Sequence, residues 1–575
     1  MILFEQGFAP TLQTLTGTLT AERVETWTFD DRQTRRRAEA EFFAEKGIRA
    51  ICRSAYKPLV CAFREEIRTS GLIRARITCP RHPDAGARRF LLETYPLAAL
   101  YPDVAFEFSE GEPTGDMPRY HLRLGYADGT ETEQSVLAPN RSHSDHAGNR
   151  VLSPCGWLIA DGEGSALETD YEALFHQTVE AIKTAPWQSE PYFAELNIAV
   201  SFPAQDEDLG HGDEVLSLTE ALHEDFYFSL LEVFQIRSGR PMGDRRLQPG
   251  QIVPEIRYGP PAVRVELRPH DATSFSTHMQ PLETAGRALS QVQIAAELDR
   301  IPGERFQAMS VAGRPVVALH HPGSDRAVMI SAGQHANETS SPVGVLRAAH
   351  RLMMRQGAHF TLSPLENPDG YALHQRLIGD NPRHMHHAAR YTALGDDLEY
   401  REGKQLFEKA IRLQAEARVD ALLHLNFHGY PAHEWTRPLS GYVPRGFEVW
   451  TLPKGFFLVM RHAQGWDDPA RRLMEGVTRR LQDVPGLRAF NDAQIALFEL
   501  HAGETGFEIM NGFPVLISHD PRHRVPMTLI TEYPDETVYD DAFRAAHEAQ
   551  MAAALAAYDA LQELPEASFP NGAMV

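Results

Sequence analysis

The sequence predicts an α/β fold, with a mixed, largely parallel sheet and flanking helices in the last half, preceded by a β-rich region and an α+β region. Strand patterns alternate with helix patterns from about residue 300 onwards, which is typical of a sheet covered by helices. Short apolar stretches between polar turns dominate the first 155 residues. At 575 residues the chain is also too long for one ordinary domain. We therefore predict three domains, over residues 1–155, 156–299 and 300–575.

The first two predicted domains show weaker patterns than the third. The alternation in YHLRLGY, at 120–126, predicts a half-buried strand that leads into an Asp-Gly turn. In the second domain, GWLIADG and ELNIAVSF predict strands, and TDYEALFHQTVEAIKTA has helical spacing. The segment 257–277 is rich in Pro and Gly and is expected to end that domain. Both regions are interpreted as accessory to the third domain.

The third predicted domain has the clearest elements. Residues 314–333 predict two apolar strands around a Pro-Gly turn, and 340–357 begin with Ser and Pro and end at Gly, as a helix does. HFTLSPLENPDGY, at 359–371, predicts a strand that runs into a turn. Three more strands (ALLHLNFHG, PVLISHD, MTLITEYP) and two helices (GKQLFEKAIRLQAEARV, DAFRAAHEAQMAAALAAYDALQEL) follow. In such sheets ligands bind at the carboxyl ends of strands.

Composition and charge exclude some classes of function. The formal net charge of −22 argues against a nucleic-acid partner and an anionic membrane surface. The amino terminus lacks a signal-peptide pattern, and no stretch approaches the roughly 20 apolar residues that span a bilayer. The four cysteines contain no CxxC pair, so we expect free thiols in a reducing compartment, which is taken to be the cytoplasm. They are Cys52, Cys61, Cys79 and Cys155.

Three His-x-x-Glu pairs are the first candidates for metal ligands. They are His211/Glu214, His335/Glu338 and His501/Glu504. At most one is expected to bind a metal, and only the second directly follows an apolar strand pattern. A catalytic zinc site commonly takes two histidines and one carboxylate and leaves a position open. His428, after the strand ALLHLNF, supplies the third ligand, while Glu532 ends another strand and has the chemistry of a general base.

These motifs in this order resemble the M14 zinc carboxypeptidases. The resemblance rests on HANE at 335–338, NPDGY at 367–371, FHG at 427–429 and TEY at 531–533, and it extends over roughly residues 300–565. It implies a zinc-carboxypeptidase-like fold and one Zn²⁺ per chain. It also implies His335, Glu338 and His428 as ligands and Glu532 as general base. The other two His-x-x-Glu pairs lack these followers and are predicted to be surface or loop residues.

The resemblance also implies an arginine that stabilises the oxyanion, between NPDGY and the segment GDDLEYR at 395–401. Arg376, Arg383 and Arg390 all qualify, and Arg383 and Arg390 are favoured without a choice between them. Asp397 matches the aspartate that orients a zinc-ligating histidine in the family. The run RHMHH, at 383–387, is interpreted as a solvated or substrate-facing loop rather than as a second metal site.

The segment GDDLEYR departs from the family pattern. Glu399 and Tyr400 stand where the family has the Asn-Arg pair that binds a terminal carboxylate, and a tyrosine does not replace a bidentate guanidinium. Arg401 is a candidate substitute, and Glu399 and Tyr400 themselves are candidates for contact with substrate. Tyr430 is a candidate for the tyrosine that covers the substrate in the family, and Tyr442 is an alternative to it.

The predicted function is zinc-dependent hydrolysis of a peptide or small amide. An N-acyl amino acid deacylase is the first alternative, because HANETSSP is also similar to the HGNETxP segment of the succinylglutamate desuccinylase and aspartoacylase group. A non-catalytic binding protein on the same fold is the second. The sequence identifies neither the substrate nor the oligomeric state.

Overall fold

The computed structural model describes residues 1–113, 115, 117–270, 276–444 and 447–570. Its largest element is a nine-stranded mixed sheet in the last half of the chain. In spatial order the strands are Glu304–Met309, Pro315–His321, Phe360–Ser363, Val328–Ala332, Leu423–Pro431, Met527–Glu536, Phe457–His462, Phe513–His519 and Glu508–Met510. The third to sixth strands in this order are all parallel to one another. The predicted α/β class with a mixed sheet is confirmed.

Helices and loops cover both faces of this sheet, and its central strands are buried on both sides. Every residue of Val328–Ala332 and of Leu423–Pro431 is buried. Within the first of these strands, Ile330 packs into the core beneath the helices Ser340–Leu352 and Asp540–Glu563. Met329 points the other way, into a smaller cluster that includes Ile411, as the two-residue period of a strand requires.

Three four-stranded sheets lie in the first 268 residues. The first contains, in spatial order, Ile2–Gly7, Ala262–Arg268, Glu195–Phe202 and Gln251–Tyr258. Its first two strands come from the two ends of this region and pair with each other. The second contains Glu163–Ala166, Trp157–Ala160, Arg23–Thr28 and Arg49–Ser54, and the third Ala105–Pro113, Leu72–Arg81, Arg119–Tyr126 and Glu131–Leu137. Two short hairpins are Glu207–Asp208 with Val215–Leu216, and Asn140–Ser144 with Arg150–Pro154. The predicted boundaries at 155 and 299 stay predictions.

The remaining helices connect and cover these sheets. In the first 300 residues they are Thr11–Thr18, Arg32–Lys46, Pro58–Glu65, Arg89–Leu92, Leu97–Leu100, Asp170–Thr184, Leu218–Arg237 and Gln291–Asp299. The later ones are Pro368–Leu377, Ala410–Arg418, Asp467–Leu481 and Leu487–Ala502. The 3₁₀ turns are Leu282–Thr284, His387–Ala389, Leu398–Tyr400, Phe407–Lys409, Pro438–Ser440, Glu448–Trp450 and Glu566–Ser568.

One predicted turn is part of a helix. NPDGY was expected to form a turn after a strand, but Asn367 caps the helix Pro368–Leu377 by accepting a 2.9 Å hydrogen bond from the backbone N–H of Gly370. Pro368 occupies the first helical position, where its missing N–H costs nothing. The same residues that favour a turn also favour a helix start, so the prediction was wrong about the element.

Two further findings concern the whole chain. The four cysteines are buried and form no disulfide. Among the described residues, no helix combines the length and the apolar character needed to cross a bilayer.

Candidate metal centre

Three predicted ligands converge at one edge of the nine-stranded sheet. His335 Nδ1 lies 2.9 Å from Glu338 Oε1, and His428 Nδ1 lies 2.9 Å from Glu338 Oε2 and 3.0 Å from His335 Nδ1. All three residues are buried. Over the described ranges, this is the only set of three or more His, Cys, Asp or Glu side chains whose donor atoms lie close enough to hold a metal.

The local backbone explains this convergence. The strand Val328–Ala332 ends at Gly333, whose φ of +65° sends the chain into a tight turn, and a Cβ there would lie 2.7 Å from a methyl carbon of Leu365. His335 and Glu338 follow in this turn, before the helix Ser340–Leu352. His428 lies near the end of the neighbouring strand Leu423–Pro431. His428 was expected just after its strand but lies within it, so a strand fixes its position directly, whereas the position of His335 is fixed by the turn that follows Val328–Ala332.

The donor set fits a zinc ion. Two imidazole nitrogens and a carboxylate are the usual protein ligands of a catalytic zinc. The two Nδ1 atoms, 3.0 Å apart, face one another across the Glu338 carboxylate, so a cation shared by their lone pairs suits the arrangement better than hydrogen bonds alone. Burial lowers the pKa of His428, which favours the neutral, metal-binding imidazole. Burial alone raises the pKa of Glu338, but His335 and Arg390 outweigh it and hold that pKa well below its usual range.

Glu532 lies directly beside this group. It is opposite His428 in the parallel ladder between Leu423–Pro431 and Met527–Glu536, so the two Cα atoms are about 5 Å apart. Burial and the neighbouring Glu338 raise the pKa of Glu532 well above its usual range, although Arg390 and Lys454 act in the opposite direction. A carboxyl group with a raised pKa next to a metal centre has the character of an acid–base group.

The structure separates the arginines that the sequence left open. Arg390 donates a 2.6 Å hydrogen bond to Glu338 Oε1, and its side chain is 18% exposed. Arg383 lies on the surface, where its side chain is 54% exposed and bonds to Asp213 at 3.1 Å. Arg376 pairs with acidic residues of the accessory region. Of the three, only Arg390 reaches the cluster.

Asp397 lies where the sequence placed it. Its Oδ2 is 3.5 Å from His335 Nε2, and its Oδ1 accepts hydrogen bonds from Gln334 Nε2 at 2.9 Å and from the backbone N–H of Glu399 at 3.0 Å. Arg245, from the accessory region, is 3.5 Å from Asp397 Oδ2. Sequence reasoning missed Gln334, although it directly precedes His335, and Arg245, for which there was no local signal.

The predicted substrate-contact residues are largely engaged with the protein itself. Arg401 is 1% exposed, and all of its nitrogens bond to Asp396, Glu408, Thr392 or the backbone, so it offers no donor to a substrate. Tyr430 is also buried, and its hydroxyl donates to the carbonyl of Gly455 at 2.6 Å.

Glu399 and Tyr400 lie near the cluster but are held by basic residues. Glu399 accepts a 2.6 Å hydrogen bond from Arg412. The ring of Tyr400 lies near the guanidinium groups of Arg245, at 5.4 Å, and Arg522, at 4.9 Å. The position that holds an arginine in the family is thus occupied by a phenol with arginines from other segments packed against it.

The structure also shows where the remaining histidines lie. Within RHMHH, His384 and His387 are buried rather than solvated, and they bond to Asp206 and Glu224, each at 2.6 Å. His501 was expected in a surface or loop position, which was wrong. It lies fully buried in the helix Leu487–Ala502, with Nδ1 2.7 Å from Thr94 Oγ1.

Comparison with known proteins covers part of the chain. Residues 285–401 match the model of the zinc carboxypeptidase family, peptidase M14, and His428 and Glu532 lie outside that match. No curated protein matches the chain.

Several solved structures are similar to this chain at low identity. A metallo-carboxypeptidase from Burkholderia cenocepacia has 14% identity, covers 47% of this chain and 69% of its own, and has a TM-score of 0.29. A metallo-carboxypeptidase from Pseudomonas aeruginosa, in complex with (2-guanidinoethylmercapto)succinic acid, has 19% identity over 48% of this chain and 70% of its own, with a TM-score of 0.29. The carboxypeptidase A from Helicoverpa armigera has 10% identity, covers 53% of this chain and 90% of its own, and has a TM-score of 0.32.

Proposed function

We propose a site and a mechanism for this chain on the premise that residues 285–401 identify it as a zinc metallopeptidase of the zinc carboxypeptidase type. The resemblance that its motifs carry is confirmed over those residues. The single observation that supports the site is the approach of His335, Glu338 and His428 to within 3.0 Å of one another. We propose that these three side chains hold one zinc ion.

The residues around this centre have distinct tasks in the proposed hydrolysis. With zinc held by His335, Glu338 and His428, the site would supply a Lewis acid for the scissile carbonyl and would lower the pKa of a bound water molecule. Glu532 accepts a proton from the attacking water and returns it to the leaving amine. Arg390, whose charge lies at Glu338, stabilises the negative charge that develops on the carbonyl oxygen. Asp397 holds His335 through Nε2.

The metal content tests this proposal. Wild-type protein, purified without added metal, is expected to contain close to one zinc per chain by inductively coupled plasma mass spectrometry. His335→Ala and His428→Ala each remove one ligand and should lose most of the zinc. A matched control is His519→Ala, at an exposed histidine, which should keep it. Zinc retained in both ligand variants contradicts the site.

A separate question is whether the substrate carries a free carboxylate next to its scissile bond. Arg401 is fully engaged, and Tyr400 stands in place of the family's arginine, so the segment 395–401 presents no guanidinium of its own to a terminal carboxylate. This weakens carboxypeptidase action on a free C-terminus but does not by itself favour the alternative, the N-acyl amino acid deacylase, because an N-acyl amino acid carries the same carboxylate next to its scissile amide. Release of C-terminal amino acids from peptides should be compared with hydrolysis of N-acyl amino acids. Turnover of the acyl compounds alone excludes the peptidase, and zinc without turnover of either class favours a binding protein.

A further inference from the structure

One segment of the accessory region, Asp244–Gly250, contacts the loop that carries Asp397. Its backbone pairs with the loop that carries Asp397, because the N–H of Asp397 donates to the carbonyl of Arg245 at 3.0 Å and the N–H of Gly250 donates to the carbonyl of Leu394 at 2.9 Å. The side chain of Gln248 donates to Asp396 Oδ2 at 3.0 Å. Three hydrogen bonds therefore join two segments that are about 150 residues apart.

The contact between the two segments is close. Gly395 has φ +84°, and a Cβ at that position would lie 2.4 Å from the carbonyl oxygen of Gly250 and 2.8 Å from Pro249. Such distances are far below van der Waals contact. Only glycine thus allows the loop before Asp397 to lie on the accessory segment, so the position of the loop depends on that segment.

The Arg245 side chain continues this contact towards the metal ligands. Its Nη1 lies 3.5 Å from Asp397 Oδ2, the same oxygen that lies 3.5 Å from His335 Nε2. The other oxygen of Asp397 is already held by Gln334 and by the N–H of Glu399. Arg245 therefore faces the one carboxylate oxygen that orients His335.

Aromatic rings limit where the guanidinium of Arg245 can lie. Its central carbon is 5.4 Å from the ring centre of Tyr400 and 5.4 Å from that of Phe447. Stacking on aromatic rings is favourable for a planar guanidinium and restricts its rotamers. The side chain is 35% exposed, yet these rings keep it directed at Asp397.

We infer that Arg245 is a positioning residue for the zinc ligand His335, and that it acts through Asp397. An imidazole that binds a metal is oriented by the partner of its other nitrogen, and that partner by its own contacts. Arg245 and the Asp244–Gly250 segment supply those contacts from outside the region that matches the family. This inference rests on the proposed zinc site and adds the accessory region as part of it.

Arg245→Gln tests the inference, with Arg246→Gln as the matched control. Arg246 is the next residue, is 51% exposed and bonds to Asp244 and Glu402 rather than to Asp397. Zinc affinity is measured by competition with a chromophoric chelator. Arg245→Gln should bind zinc about 10-fold more weakly, at the low end of the cost of losing a ligand's direct partner, because Arg245 acts one residue further out. Arg246→Gln should match the wild type, and Arg245→Lys should lie between them.

A second readout separates orientation from general loss of structure. The visible absorption bands of the Co²⁺-substituted protein report the ligand geometry, and they should shift in Arg245→Gln but not in Arg246→Gln, while the melting temperatures of the metal-free proteins agree. If Arg245→Gln does not fold, Arg245→Lys decides the question, and wild-type affinity and spectrum in that variant overturn the inference.

The inference and the proposed function fail in different ways. If the wild-type protein binds no zinc with the affinity of a protein site, the proposed function fails. If the wild type binds zinc and Arg245→Gln binds it equally well with an unchanged Co²⁺ spectrum, only the role of Arg245 is lost.

Discussion

The two sides of the proposed metal centre are built differently. On one side, which we call the strand side, His428 and Glu532 lie opposite each other on neighbouring parallel strands. On the other, the loop side, Arg390 and Asp397 lie in a segment whose only regular structure is two 3₁₀ turns. Ladder hydrogen bonds fix the strand side, whereas contacts with distant residues such as Arg245 fix the loop side. The sheet therefore sets the positions of His428 and Glu532, whereas Asp397, which faces His335, is held in part by residues far away in the sequence.

The largest expected effect concerns the strand side. Glu532→Gln keeps the shape of the side chain but removes the base, so turnover should fall by about 10²–10⁴-fold, while the zinc content should stay that of the wild type because Glu532 is not among the three converging ligands. Activity against the best substrate and metal content are measured on the same preparation.

A matched control lies four residues further along the same strand. Glu536 is also buried, its Oε2 accepts a hydrogen bond from Asn337 at 2.7 Å, and its Oε1 lies 3.6 Å from Arg390. Glu536→Gln removes only this contact with Arg390 and should therefore lose much less turnover than Glu532→Gln. Equal losses in the two variants would remove Glu532 from its proposed role.

The next effect concerns the loop side. Arg390→Ala removes the guanidinium that bonds Glu338 at 2.6 Å, and loss of a group that stabilises an oxyanion commonly costs about 10²–10³-fold in kcat. Arg383→Ala is the matched control, because that exposed arginine bonds Asp213 instead. Steady-state kinetics of both variants check the choice that the sequence left open. A larger loss in Arg383→Ala would reverse it.

The same contrast explains which predictions the sequence supported. Strand ends in a parallel sheet meet at one edge, so the apolar runs together with the order of the motifs predicted that His335, His428 and Glu532 lie close together. The environment of Arg401 was not accessible in this way, because its burial depends on how the loop folds onto Asp396, Glu408 and Thr392. A residue type alone does not distinguish a guanidinium that meets substrate from one that closes a buried ion pair.

The accessory contacts were missed for a related reason. The helix Leu218–Arg237 supplies acids that contact His387 and His433 in the last half of the chain. It was not predicted, because it is buried over most of its length and shows little amphipathic contrast. Arg245 stands in a polar, Gly- and Pro-containing segment with no motif. Their roles arise from pairing between residues far apart in sequence, which a single sequence does not reveal.

The smallest expected effect concerns the contact between that helix and the segment that follows the strand Leu423–Pro431. His433 follows the strand Leu423–Pro431, and its Nε2 lies 2.8 and 2.9 Å from the two carboxylate oxygens of Glu220. Burial alone lowers the pKa of His433, but Glu220, and then Glu214 and Asp213, outweigh it and raise that pKa to about 9. The folded state therefore binds this proton more tightly than the unfolded state does.

The sign of the pH dependence follows from this difference. Stabilisation by the His433 proton is complete below the unfolded pKa of about 6.5 and is lost as the pH rises through about 9. A hydrogen bond to a charged group contributes about 1.5–3 kcal/mol. Urea unfolding of the wild type should thus show the free energy of unfolding falling between these pH values, and His433→Gln should remove that part of the slope. His519→Gln, at an exposed histidine, should leave the slope unchanged. An identical slope in His433→Gln and wild type would mean that the contact between His433 and Glu220 does not depend on this charge. The accessory region would then be held mainly by its other contacts, including the segment around Arg245.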